Sequence, residues 1–193
     1  VPQEKLARFT KANHQGVVAL TSLIEYQDLQ SVIDLAVDKG ETPILMVLDG
    51  ITDTRNLGAI ARSAYCFGAH ALVLPIANNA AITEEAVKTS AGALEKLPVC
   101  KVPSIQQAFD VFRMNGIAVA ATAVTKADYI TKMDFTGPLA IVMGAEDKGV
   151  SNFVLKNADA LVQIPMSGKF DSLNVSVASG IMMYEVFKQR NLD

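Results

Sequence analysis

The sequence predicts an α/β fold, a mainly parallel sheet with helices on both faces, and three observations carry that expectation. Short apolar runs alternate with longer stretches of helical spacing along the whole chain. Half of the residues are apolar but only 6% are aromatic, the Ala/Val/Ile/Leu-rich balance of strands buried on both sides. The length, 193 residues, suits a single domain with one substantial core.

Taken in order, the apolar runs place strands at Val17–Leu20, Ile44–Leu48, Ala71–Leu74, Pro98–Val102, Ile117–Ala121, Leu139–Met143 and Ala160–Ile164. Helical spacing places helices at Tyr26–Lys39, Leu57–Phe67, Thr83–Leu94, Ile105–Met114, Asn152–Asn157 and Leu173–Arg190. The last is the longest, and Leu173, Val177, Ile181 and Tyr184 form an apolar stripe at helical spacing along it. Residues 1–15 read as a lead-in to one domain spanning 16–193, with no repeat or internal linker.

Composition narrows the functional classes. Lys+Arg 17 against Asp+Glu 20 gives a net charge of −3, which argues against a nonspecific nucleic-acid coat but leaves room for a focused site. Cys66 and Cys100 have no paired spacing and lie among apolar residues, so neither a disulfide framework nor a zinc site is expected. Cys66 is expected in the core. His14 and His70 have no neighbouring ligand set, so no metal is expected. No apolar run approaches a membrane span and no secretory signal opens the chain, so a cytoplasmic protein is expected.

In open α/β sheets, ligands collect beyond the carboxyl ends of the strands. Three loops at such ends are polar and contain glycine: Asp49–Gly58, Gly144–Ser151 and Pro165–Ser172. In the first, Asn56 is either a helix N-cap or a functional amide. Gly58 permits a close backbone approach. Arg62 follows in an otherwise apolar helix, either snorkelling to water or awaiting an anion. In the second, Gly144-Ala145-Glu146-Asp147-Lys148-Gly149 resembles a phosphate loop, but Glu146 replaces the middle glycine and would repel a pyrophosphate. A ligand without phosphates, or a cationic one, fits better. In the third, Ser172 is a candidate N-cap before an apolar helix, and Asn174 stands in its first turn. Backbone groups at Ile164, Met166 and Leu173 could hold a planar base. A dinucleotide oxidoreductase or a P-loop NTPase would need glycine patterns that are absent.

Together the three loops resemble the three motifs of the SpoU family of RNA methyltransferases, within the SPOUT superfamily. Asn56, Gly58 and Arg62 match the first motif, and Gly144, Glu146 and Gly149 the second. The run from Ile164 to Ala178, I-P-M-x-G followed by S-L-N-V-S-V-A, matches the third. The resemblance covers Ile44 to Arg190. It implies a deep C-terminal trefoil knot, which spacing alone would not suggest, and a homodimer. It implies that S-adenosyl-L-methionine is held by Gly144, Ile164 and Leu173, with Met166 lining the pocket. It implies methyl transfer to an RNA ribose 2′-hydroxyl with Arg62, Asn56, Glu146, Ser172 and Asn174 as catalytic residues. Arg62 would act as base or as phosphate clamp.

The segment Asn13-His14-Gln15-Gly16-Val17-Val18-Ala19 resembles the junction before the catalytic domain in bacterial enzymes that methylate a guanosine of large-subunit (23S) rRNA. Those relatives carry an N-terminal RNA-binding domain just before this point, of which residues 1–15 would be a remnant. Ribosomal RNA is therefore the expected partner, with transfer RNA the alternative. A non-catalytic RNA-binding protein of the same fold is the rival class, and the intact polar motif residues count against it.

Overall fold

The computed structural model describes residues 23–124, 127–168 and 172–192, together with 6, 8, 9, 13 and 15–18. Most of the expected lead-in therefore lies outside the described residues. So does half of the expected strand Val17–Leu20, whose described residues Val17 and Val18 are not in a strand.

The described elements run α1 (Leu29–Asp38), β1 (Ile44–Asp49), α2 (Thr54–Cys66), β2 (Ala71–Pro75), α3 (Glu84–Thr89), β3 (Val99–Val102), α4 (Ile105–Met114), β4 (Ala118–Thr122), β5 (Asp128–Tyr129), β6 (Leu139–Gly144), α5 (Asn152–Asn157), β7 (Ala160–Gln163) and α6 (Val175–Asn191). The strands form one sheet in the order β3-β2-β1-β6-β4-β7-β5. Every pairing is parallel, from Leu45 beside Ala71 through Asp49 beside Gly144 to Tyr129 beside Gln163. The α/β expectation holds. Strands β6 and β7 each enter between strands already in place, so the last third of the chain is drawn into the middle of the sheet.

Alternation along β1 shows why the sheet is apolar on both sides. Met46 and Leu48 point into a core shared with α2 and α6, while Leu45 and Val47 point into one shared with α1 and α4. All four are fully buried.

Helix starts are set by side-chain caps, and several differ from the expected bounds. Asp28 accepts a hydrogen bond from the Ser31 amide, so α1 begins at Leu29, and Tyr26 instead forms a parallel bridge with Val99. Asp53, not Asn56, caps α2, accepting from the Arg55 and Asn56 amides. Asn174, not Ser172, caps α6. The expected helix Thr83–Leu94 is broken after Thr89. Ala91 and Gly92 both take left-handed φ angles, +50° and +87°, before a 3₁₀ turn at Ala93–Glu95.

One burial expectation is corrected. Cys66 is exposed at the end of α2, and Cys100 is the buried thiol. The buried residues of helix α6 are Val175, Ser179, Met182, Met183 and Val186. Of the apolar stripe, Ile181 packs against the core, whereas Val177 and Tyr184 are 51% and 48% exposed.

Candidate active site

The first and second loops leave neighbouring strands, because Asp49 and Gly144 are paired at the ends of β1 and β6. Gly144 must be glycine: a Cβ there would lie 2.1 Å from the Gly149 carbonyl carbon and 2.2 Å from the Val150 nitrogen. The close approach lets Ala145 and Gly149 exchange backbone hydrogen bonds of 3.1 and 2.8 Å. Gly149 completes the turn at φ +67°. Glu146 is thus carried at the tip of a tight turn.

The Glu146 carboxylate is where the three loops meet. Its Oε1 accepts from the Asn56 side-chain amide at 3.2 Å, the Asn174 side-chain amide at 2.5 Å and the Val175 backbone N–H at 3.2 Å. The Asn174 amide also reaches Asn56 Oδ1 at 3.1 Å, closing a triangle. The carbonyl oxygen of the same Asn174 side chain caps α6, accepting from the Ser176 and Val177 amides. One residue therefore has two tasks, with its donor turned to the network and its acceptor to the helix. No described residue donates to Glu146 Oε2.

Beside this triangle lies a cavity of about 480 Å³, within the roughly 300–1,000 Å³ usual for small-molecule sites. Its walls are formed by Thr122–Val124 beyond β4, the Gly144–Val150 turn, Ile164 and Met166 beyond β7, and Ser172 and Leu173 before α6. The expected cofactor residues Gly144, Ile164, Met166 and Leu173 all line it, as do Glu146 and Ser172. Asn56 and Asn174 reach it only through Glu146. Arg62 is on the exposed side of α2, outside the lining, and has no partner among the described residues. It is six residues beyond Asn56, about 9 Å along the helix axis.

Gly58 turns out to serve packing and not a ligand. A Cβ there would sit 2.4 Å from the Ala86 carbonyl oxygen, so its absence lets α3 lie against α2. Sequence reasoning missed Asn79. Its side-chain amide donates to the Leu48 and Pro75 carbonyls and accepts from the Gly50 and Ile51 amides, bracing the start of the first loop. Only an Asn among turn residues marks it in the sequence.

Comparison with known proteins decides the family. The model of the SpoU rRNA methylase family matches residues 43–184. The chain belongs to that family. A Bacillus subtilis protein of the TrmH family of tRNA/rRNA methyltransferases, YacO, is 39% identical over 191 residues, covering 99% of this chain and 77% of that protein. Among solved structures, the AdoMet-bound rRNA methyltransferase of Sinorhizobium meliloti superposes with a TM-score of 0.77 at 26% identity, covering 88% of this chain and 62% of that one. The SpoU methyltransferase AviRb of Streptomyces viridochromogenes, in complex with AdoMet, gives 0.72 at 31% identity, covering 77% and 58%. This chain thus spans about three fifths of the length of these solved proteins.

S-adenosylmethionine, the methyl donor of the SpoU family, fits the chemistry of this cavity. The lining is largely apolar, with Met143, Val162, Ile164, Met166, Leu173 and Ala178 able to pack on an adenosyl group. Irregular backbone at 164–166 and 172–173 offers polar groups at its rim. The charged side chains in the lining are Glu146, Asp147 and Lys148, a set that accommodates a sulfonium and not a pyrophosphate.

Proposed function

We propose that this SpoU domain methylates a ribose 2′-hydroxyl of RNA, with a guanosine of large-subunit ribosomal RNA as its target. The observation that supports it most is the meeting of Asn56, Glu146 and Asn174 on one carboxylate oxygen at the edge of the cavity. A fold kept only for binding has no need of a network contributed by three distant segments. The ribosomal target draws support from the rRNA methyltransferase among the structural neighbours and from the Asn13–Ala19 segment. That segment lies partly outside the described residues.

Bound S-adenosylmethionine supplies an electrophilic methyl group on a sulfonium, so no metal and no covalent protein intermediate is needed. The protein's task is alignment of the attacking oxygen and removal of its proton. The two asparagines hold Glu146 in one orientation, so its carboxylate is presented without rotational search. Gly144, Ile164 and Leu173 supply backbone and Met166 a flexible apolar wall to hold the cofactor. Ser172 offers a hydroxyl at the rim. Arg62, exposed and outside the cavity, would clamp an RNA phosphate.

The reading includes a homodimer, supported by the outward apolar residues Val177 and Tyr184 of α6. It includes the trefoil knot, supported by the late insertion of β6 and β7 into the sheet, and a cytoplasmic location. A transcriptome-wide map of ribose methylation in cells with and without the gene tests the activity. Loss of one methylated guanosine in large-subunit rRNA is expected. Loss at a transfer-RNA position would keep the chemistry and overturn the target. An unchanged map in cells that express the gene would favour a non-catalytic binder.

A further inference from the structure

Asp49 ends β1 and opens the first loop, takes no part in the Asn56–Glu146–Asn174 network, and yet reaches the second loop. Its Oδ2 accepts the Ser151 backbone N–H at 2.6 Å, across 102 residues of sequence. Ser151 immediately follows the Gly144–Val150 turn that walls the cavity, and it caps α5 through its hydroxyl to the Val154 amide. The other end of that turn is held by the Asp49–Gly144 strand pairing. Both ends of the turn are therefore anchored at one residue: the start by Asp49's place in the ladder, the finish by its carboxylate. Gly50 continues the contact, since a Cβ on it would touch Ala145 Cβ at 3.7 Å. Asn79 braces the opposite side by accepting from the Gly50 and Ile51 amides.

From this geometry we infer that Asp49 is a positioning residue: its carboxylate holds the Gly144–Val150 turn closed, and so sets both the shape of the cofactor cavity and the location of Glu146. The inference rests on the reading that this cavity takes S-adenosylmethionine. A hydrogen bond to a carboxylate is stronger than one between neutral groups, and the Asp49–Ser151 contact is 2.6 Å long. Without it, the Ser151 N–H loses its acceptor and nothing else among the described residues replaces it. The turn then keeps the Ala145–Gly149 backbone pair, the strand pairing at Gly144 and the contacts of Glu146, but its finish at Ser151 loses its tie to β1.

The test uses calorimetric titration of the full chain with S-adenosylmethionine and with its demethylated product, beside thermal unfolding. Asp49→Ala is expected to weaken binding about tenfold or more. Asp49→Asn keeps a carbonyl oxygen for Ser151 and is expected to stay within about threefold of wild type. The amide nitrogen it adds falls at Oδ1, to which no described residue donates. A loss of binding by Asp49→Ala that Asp49→Asn rescues, with the unfolding temperature of the two variants alike, supports the role. Tight binding by wild type together with an unchanged Kd in Asp49→Ala overturns it and leaves the cofactor reading standing. If both variants bind as wild type but unfold earlier, Asp49 is a structural residue only, which also overturns it. A wild-type chain that binds neither compound overturns the cofactor reading, and the role of Asp49 with it.

Discussion

Gly144 and Gly149 approach so closely that any side chain on Gly144 would occupy the peptide between Gly149 and Val150. The clash is with backbone, which cannot rotate away as a flexible side chain could. Gly144→Ala should therefore open the turn and destabilise the fold by about 1–3 kcal/mol. Cofactor binding should fall more than stability does, because the turn walls the cavity. Chemical denaturation beside calorimetric titration checks both. Unchanged binding would show that the turn does not shape the site.

Asn174 can be dissected because its two ends do different work. Asn174→Ala removes the cap of α6 at a cost of about 1 kcal/mol, together with the donors to Glu146 and Asn56. Asn174→Asp retains the capping oxygen but replaces those donors with a carboxylate facing Glu146. Both variants should lose methyl transfer by about two orders of magnitude or more. Steady-state kinetics and thermal melts distinguish the two tasks. Full activity in Asn174→Asp would remove the network from catalysis.

Gly58 tests a contact remote from the cavity. Gly58→Ala would push a methyl against the Ala86 carbonyl and Thr89 Cβ, separating α2 from α3. A loss of about 1–3 kcal/mol is expected in urea unfolding. The gain in helix propensity from Gly to Ala, about 1 kcal/mol, opposes it without cancelling it. A more stable variant would show that the helices part freely.

Arg190 secures the opposite end of the sheet. Its guanidinium donates to the Phe135 and Thr42 carbonyls at 2.9 and 2.8 Å, and also to that of Gly137. Burial holds its pKa below the usual arginine value. Arg190→Met should cost about 1–3 kcal/mol by leaving these carbonyls without their donor. Cofactor affinity should stay within about twofold, because the contacts precede β1 and β6 and lie away from their carboxyl ends. Equal losses of stability and affinity would refute that separation.

The two thiols should behave differently. Burial pushes the Cys100 thiol from its usual 9.0 up to about 12, whereas Cys66 is exposed. In the native protein at about pH 8, a disulfide reagent should modify Cys66 rapidly and Cys100 only after denaturation. The unfolded chain ionises Cys100 first as pH rises. Its contribution to stability is therefore present below about pH 9 and is lost as pH climbs towards about 12. Denaturation midpoints of wild type and Cys100→Ala across that range check the sign.

Much of the fold was legible because burial on both sides of a parallel sheet writes continuous apolar runs. Helices Ile105–Met114 and Asn152–Asn157 lie within their expected bounds. Strand Asp128–Tyr129 went unread because two exposed residues carry no period. The break at Ala91 and Gly92 was read through, although Gly92 could have marked it, because the alanines around it are strong helix formers. Caps were misplaced by a few residues wherever several polar residues precede a helix, as at Asp53 and Asn56, or Ser172 and Asn174.

By itself the sequence determined most of the strands and helices, the three loops at strand ends and the family those loops belong to. These rest on local pattern and residue identity, which one chain displays directly. Which face of α6 is buried could be decided only in three dimensions, because Val175, Met182 and Val186 on one side and Val177 and Tyr184 on another both satisfy helical spacing. The same holds for the Asn56–Glu146–Asn174 triangle, whose members lie 90 and 28 residues apart and meet only because β6 lies beside β1. Hydrogen bonds of that reach depend on strand order, and strand order is a property of the packed sheet and not of any segment within it.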